Sequence, residues 1–226
     1  MFPLRRARGA GGASPRWPDV PWWAVASAGA APVVLTGGWT LAAGRQRAGY
    51  DSIRDTISAL AAQGAGDRWI MTTALAGLGV CYAITGLGLR PARPAGRILL
   101  MGGGVGTVLV AAFPQPAHGN SVAHTVVATL AFTSLGAWPV CAARRRAASL
   151  LQRRASTVAT VVMFALLLWF VLEVNGTHRG LAERSAALAE ALWPLLVVLS
   201  CRRGYLGEVR NLKMAPAGSA TVAKRP

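Results

Sequence analysis

Six long apolar stretches punctuate the chain, at residues 20–43, 69–89, 98–116, 121–143, 156–174 and 181–201. Each is close to the roughly 20 residues a helix needs to cross about 30 Å of hydrocarbon. The connections between them are short and polar, so the pattern predicts an all-α polytopic membrane protein with six transmembrane helices. The first connection carries a pattern of its own. Ile53, Ile57, Leu60 and Ala61 recur at i, i+4, i+7 and i+8, while Asp51, Asp55 and Ser58 take another face. This spacing predicts a short amphipathic helix over residues 51–62, lying in the outer membrane interface or folded over the bundle. Asp51 or Ser52 is placed to cap it, Asp55 to sit in its first turn, and Gly64 to end it.

Charge then orients the bundle, because cytoplasmic loops keep an excess of Lys and Arg. With the N-terminus inside, all but six of the 24 basic residues fall on the cytoplasmic side, and the net charge of +16 is cytoplasmic in full. The six are Arg45, Arg47, Arg54, Arg68, Arg179 and Arg184. The expected location is therefore a bacterial plasma membrane, multi-pass, with both termini cytoplasmic. In a soluble chain such a balance would point to nucleic acid; here topology and attraction to anionic headgroups account for it, and no nucleic-acid partner is expected. Residues 1–19 and 204–226 are rich in Gly, Ala, Pro and basic side chains without apolar periodicity. They read as disordered cytoplasmic tails around a membrane domain at 20–203. The first span is too long for a signal-peptide core and reads as a retained anchor. Cys81, Cys141 and Cys201 lie within or near the inner ends of spans, where an extracellular disulfide is not expected.

Small residues are abundant, with 26 glycines, and Gly102 and Gly106 form a small-residue face that serves helix packing or a homo-oligomer seam. Trp138-Pro139 and Trp193-Pro194 place a proline inside spans four and six, where each removes a backbone donor. The polar residues with chemical potential gather at the outer side. His118, His124 and His178 all fall there, with Asp51, Asp55, Ser58, Glu173 and Glu183. Histidine titrates near neutrality, so with the acids these groups could supply acid/base chemistry. Their spacing matches no metal-binding signature, and neither a metal nor another cofactor is expected. Glu190 stands apart because it lies well inside span six, where charge is costly. Glu183 precedes it by seven residues on the same helical face. His124, Arg54 and Arg184 are its candidate partners.

The run Tyr50-Asp51-x-x-Arg54-Asp55-x-Ile57-Ser58-x-Leu60, the Phe113-Pro114 end of span three, His118, and His124 opening span four resemble the domain of unknown function 998 family. The resemblance covers roughly residues 22–203. It implies a bacterial or archaeal polytopic membrane protein and no particular reaction; Ala61 stands where many relatives carry Gly. Three functions are carried forward. The first is a membrane protein with an outward polar pocket for a lipid-like molecule, in which Asp51, Ser58, Glu173, His178 and Glu183 are the binding candidates. The second is an enzyme acting on a lipid or isoprenoid, with Asp55, His118, His124 and Glu190 as acids or bases. The third is a small proton-coupled transporter that titrates Glu190. Membrane lipids are the expected partners in each case.

Overall fold

The computed structural model describes residues 19–46, 49–117, 119, 121–145 and 150–214. Six long helices and one short helix make up the described fold: α1 (Trp22–Ala43), α2 (Ile57–Leu60), α3 (Trp69–Gly88), α4 (Pro94–Ala112), α5 (Val122–Ala142), α6 (Arg153–Leu172) and α7 (Arg179–Met214). Among the described residues there is no β-strand, only an isolated bridge between Arg144 and Gln152. All six long helices are long and apolar enough to cross a membrane. They expose apolar side chains outward, among them Val33, Val80, Ile98, Leu130 and Leu168, as expected where the solvent is hydrocarbon.

Local chemistry sets the helix ends. Pro94 opens α4 at its first turn, where a missing N–H costs nothing. Ser121 caps α5 by accepting from the His124 amide at 3.2 Å, and Thr56 caps α2 by accepting from the Ala59 amide at 3.1 Å. The third span begins at Pro94, four residues before the predicted 98, because Arg97 is accommodated inside it. Its guanidinium folds back and donates to the carbonyls of Gly86 (2.9 Å) and Leu87 (2.8 Å), satisfying the last turn of α3. Helix α7 continues through Met214, past the boundary drawn at residue 204 for the C-terminal tail. Residues 1–18 and 215–226 lie outside the described residues.

The long helices pack in chain order, and α7 returns against α1, so the six close into a ring. Glycine decides how near the neighbours come. A Cβ added at Gly79 would stand 2.4 Å from the Gly104 carbonyl oxygen, and one at Gly104 would stand 2.5 Å from that of Gly79, so α3 and α4 meet backbone to backbone. Gly96, Gly103 and Gly106 give the same close approach to Ala142, Leu135 and Ala131 of α5. Gly102 faces open space, so the seam runs through its neighbours.

The predicted amphipathic segment is helical only over Ile57–Leu60. Asp51 and Asp55 consume the local backbone donors upstream: Asp51 Oδ1 accepts from the Ile53 amide at 2.8 Å and Asp55 Oδ2 from the Asp51 amide at 2.9 Å, which holds turns in place of a helix. Ile57, Leu60 and Ala61 are buried as the apolar stripe requires, whereas Ile53 is half exposed. The single turn of α2 is thus tucked into one end of the ring, which is called the α2 end below.

Candidate membrane-embedded acid site

At the α2 end three helices converge on one hydroxyl. The Ile57 amide donates to Glu183 Oε2, fixing the start of α2 to α7. The next residue, Ser58, donates through Oγ to Glu183 Oε1 at 3.0 Å. From the other side, His124 Nε2 lies 3.3 Å from the same Ser58 oxygen. The second imidazole nitrogen is assigned by its partner, because His124 Nδ1 stands 2.9 Å from the Phe113 carbonyl, which can only accept. Nδ1 therefore carries a proton. Phe113 is free for this role because α4 ends there, in front of Pro114. The Ser121 cap fixes the first turn of α5 and so the position of His124, which is buried.

Below this cluster lies a cavity of about 50 Å³ in the middle of the ring. Leu35, Leu75, Leu78, Val110, Phe132 and Leu135 supply apolar wall, and Ser58, Tyr82, Thr107, Glu183 and Glu190 supply the polar groups. Among the described lining residues none is cationic. Glu183 and Glu190 are about 10 Å apart along α7 on one face. Glu190 is 1% exposed, and its Oε1 has no hydrogen-bond partner. The expected partners are engaged elsewhere. His124 turns to Ser58, Arg54 lies 3.7 Å from Asp51, and Arg184 points out of the cavity.

Arg184 organises the connection above the site. Its Nη1 donates to the carbonyls of Ser52 (2.7 Å), Asp55 (2.7 Å) and Gly180 (3.0 Å), and its Nη2 donates to the Tyr50 hydroxyl. The guanidinium carbon also lies 5.9 Å from the centroid of the Trp39 ring. Burial pushes the Tyr50 phenol above its ordinary value, with the adjacent Arg184 charge opposing. Arg179 adds a donation to the Arg54 carbonyl at 2.7 Å and an ion pair with Asp55 at 3.5 Å. Gly180 is required beneath this loop, since a Cβ there would stand 2.3 Å from the Asp55 carbonyl oxygen.

The structure therefore separates the residues singled out in the sequence. Ser58, His124 and Glu183 are joined by hydrogen bonds, and Ser58, Glu183 and Glu190 share one cavity. Asp51 and Asp55 hold the loop. Glu173 accepts from the His178 amide at 3.0 Å in the α6–α7 connection and, like His178, is not among the cavity-lining residues. His118 lies outside the described residues. Among those described, no three His, Cys, Asp or Glu side chains converge as a metal site would need. Sequence reading missed Tyr82, a tyrosine within an apolar span with no periodic signal, and the Phe113 carbonyl, which no side-chain pattern reveals.

No curated protein and no solved structure matches this chain. The model of one family, described as "Protein of unknown function (DUF998)", matches residues 20–200, which takes in the first five spans, the sixth as far as Ser200 and the whole acid site; the chain belongs to that family.

Proposed function

We propose that the protein is a small proton-coupled carrier that exchanges protons for a small organic cation at Glu190. One observation carries this reading. A carboxyl oxygen with no partner is buried against an internal cavity whose polar lining is acidic or hydroxylic, without a cation. An isolated carboxylate there would cost several kcal/mol, so Glu190 is at rest only with a proton or a cationic guest. Because the two compete for one group, loading one releases the other, which is the physical basis of exchange. Tyr82 and Phe132 are among the lining residues, and aromatic side chains are the type that attracts quaternary ammonium ions.

Tetramethylammonium is a suitable probe because it carries permanent charge and no proton. Proteoliposomes with an entrapped pH indicator should show proton movement when a tetramethylammonium gradient is imposed, and Glu190→Gln should abolish it while leaving the fold intact. Wild-type vesicles in which tetramethylammonium, methylammonium and choline all fail to move protons would overturn the reading.

A second reading is favoured by the Ser58–His124 geometry. A histidine whose Nδ1 is fixed by a carbonyl and whose Nε2 faces a serine hydroxyl is arranged as a general base would be. An acid/base enzyme would use Ser58 and His124 in this way, although the Ile57 amide, a natural donor to a developing oxyanion, is spent on Glu183. Labelling of Ser58 by a fluorophosphonate, lost in His124→Gln, distinguishes this reading. A lipid tail would need the larger groove of about 540 Å³ between α1 and α3, lined by Val33, Gly37, Leu41 and Trp69 with Arg45 among its residues.

A further inference from the structure

We propose that His124, Ser58 and Glu183 bind one proton in common and pass it between the α2 end and the central cavity. The inference rests on hydrogen-bond stoichiometry and stands apart from the cation-exchange reading, although both concern the same cavity.

His124 Nδ1 holds a proton against the Phe113 carbonyl at 2.9 Å, so in the neutral ring Nε2 is an acceptor. Glu183 as a carboxylate is an acceptor at both oxygens; the Ile57 amide donates to Oε2, and the Ser58 amide also donates to the carboxylate. Ser58 Oγ lies between Nε2 at 3.3 Å and Oε1 at 3.0 Å, with one hydrogen to give. A neutral histidine and a carboxylate would leave one of these two contacts between facing lone pairs in a buried site, an unfavourable arrangement. One added proton satisfies both. Placed on Nε2, it is donated to Ser58 Oγ, which donates to Glu183 Oε1; placed on Oε1, the chain runs the opposite way. Interconversion breaks the Nε2–H and old Oγ–H bonds and forms a new Oγ–H and an Oε1–H bond. The imidazolium becomes imidazole, the carboxylate becomes the acid, serine is regenerated, and total charge is unchanged.

Position makes this array a relay. Ser58 belongs to α2 and is only partly buried, while Ser58 and Glu183 also line the cavity that holds Glu190. About 50 Å³ has room for roughly three waters, enough to bridge the interval of about 10 Å between the two glutamates. The charged and titratable surroundings are consistent with one mobile proton. On α7, Arg184 is committed to the Tyr50 loop and Glu190 lies one cavity length away; α3 presents Tyr82; α1, α4 and α5 present Leu35, Thr107, Val110 and apolar side chains. Asp55, above the cluster, is engaged with Arg179 and the Asp51 amide.

The test follows both ends of the array in the full-length protein in lipid nanodiscs. The His124 ring is read by ¹⁵N-histidine NMR, and the Glu183 carboxyl by its infrared acid band, assigned with Glu183→Gln. In the wild type the two signals should change together, at one midpoint, with release of a single proton. In Ser58→Ala the signals should separate into two independent midpoints, and Ser58→Thr, which keeps the hydroxyl, should restore coincidence. Independent titration in the wild type, or coincidence that survives Ser58→Ala, would overturn the relay. Should Ser58→Ala fail to fold, the wild-type measurement and Ser58→Thr decide. Loss of tetramethylammonium exchange alone would leave the relay standing, and loss of coincidence alone would leave the exchanger standing.

Discussion

Single residues in this protein act through what their neighbours have already claimed. Glu183 and Glu190 are the same residue type on one helical face, yet one accepts from the Ile57 amide and Ser58 while the other has an oxygen with no partner. The first is held, the second is available. Tyr50 shows the same dependence outside the membrane span. Its phenol is half-buried beside Arg184 and held above the ordinary value of about 10, so it contributes stability that is complete below that pH and is lost as pH rises through the folded value. Tyr50→Phe should remove this alkaline loss. Because the Arg184 donation goes with it, the variant should also lose about 1–2 kcal/mol near neutrality. Thermal melts across neutral to strongly alkaline pH check both effects; an unchanged alkaline slope would place the titration elsewhere.

At the scale of elements, close approach depends on which glycine in a run faces a neighbour. Gly104→Ala pushes a methyl into the α3 backbone and should destabilise by about 1–3 kcal/mol, whereas Gly102→Ala, facing open space, should change stability by less than about 0.5 kcal/mol. Thermal unfolding of the two variants in one detergent compares them directly, and equal losses would contradict the α3–α4 seam. The Tyr50–Gly64 connection tests differently. Gly180→Ala forces the Asp55 and Ser52 carbonyls away from α7. It should increase labelling of a cysteine placed at Ile57 by a membrane-impermeant thiol reagent, because the single turn of α2 loses its seat; protection as in the parent would show the loop is held by Arg184 and Arg179 alone.

For the whole molecule, six spans put the α2 end and the connection after span two on opposite sides of the membrane. The arginine distribution predicts that the α2 end is outside. A reporter active only outside the cytoplasm should be active when fused after Gly64 or Thr177 and silent after Arg93 or Leu150. Activity at Leu150 would reverse the orientation and would make the relay open to the cytoplasm.

The sequence by itself determined the number of spans and their approximate ends, because a helix in hydrocarbon must satisfy its own backbone and be apolar on its exposed face, and both demands are written locally. It also marked Glu190 as costly in hydrocarbon, and His124, Ser58 and Glu183 as polar candidates gathered at one side of the bundle. Only the tertiary structure decided which of them meet. The amphipathic stripe over 51–62 matched a helix, but the side chains of Asp51 and Asp55 claimed the upstream amides and left one turn. Asp55 went to the loop and Ser58 to the cavity, three residues apart, because α7 approaches through Gly180, Glu183 and Arg184 and sorts the connection between them. Contacts separated by more than a hundred residues have no periodic trace, and the Phe113 carbonyl that sets the His124 tautomer is a backbone atom present at every position. Its meaning comes from the helix end that frees it and the histidine that reaches it.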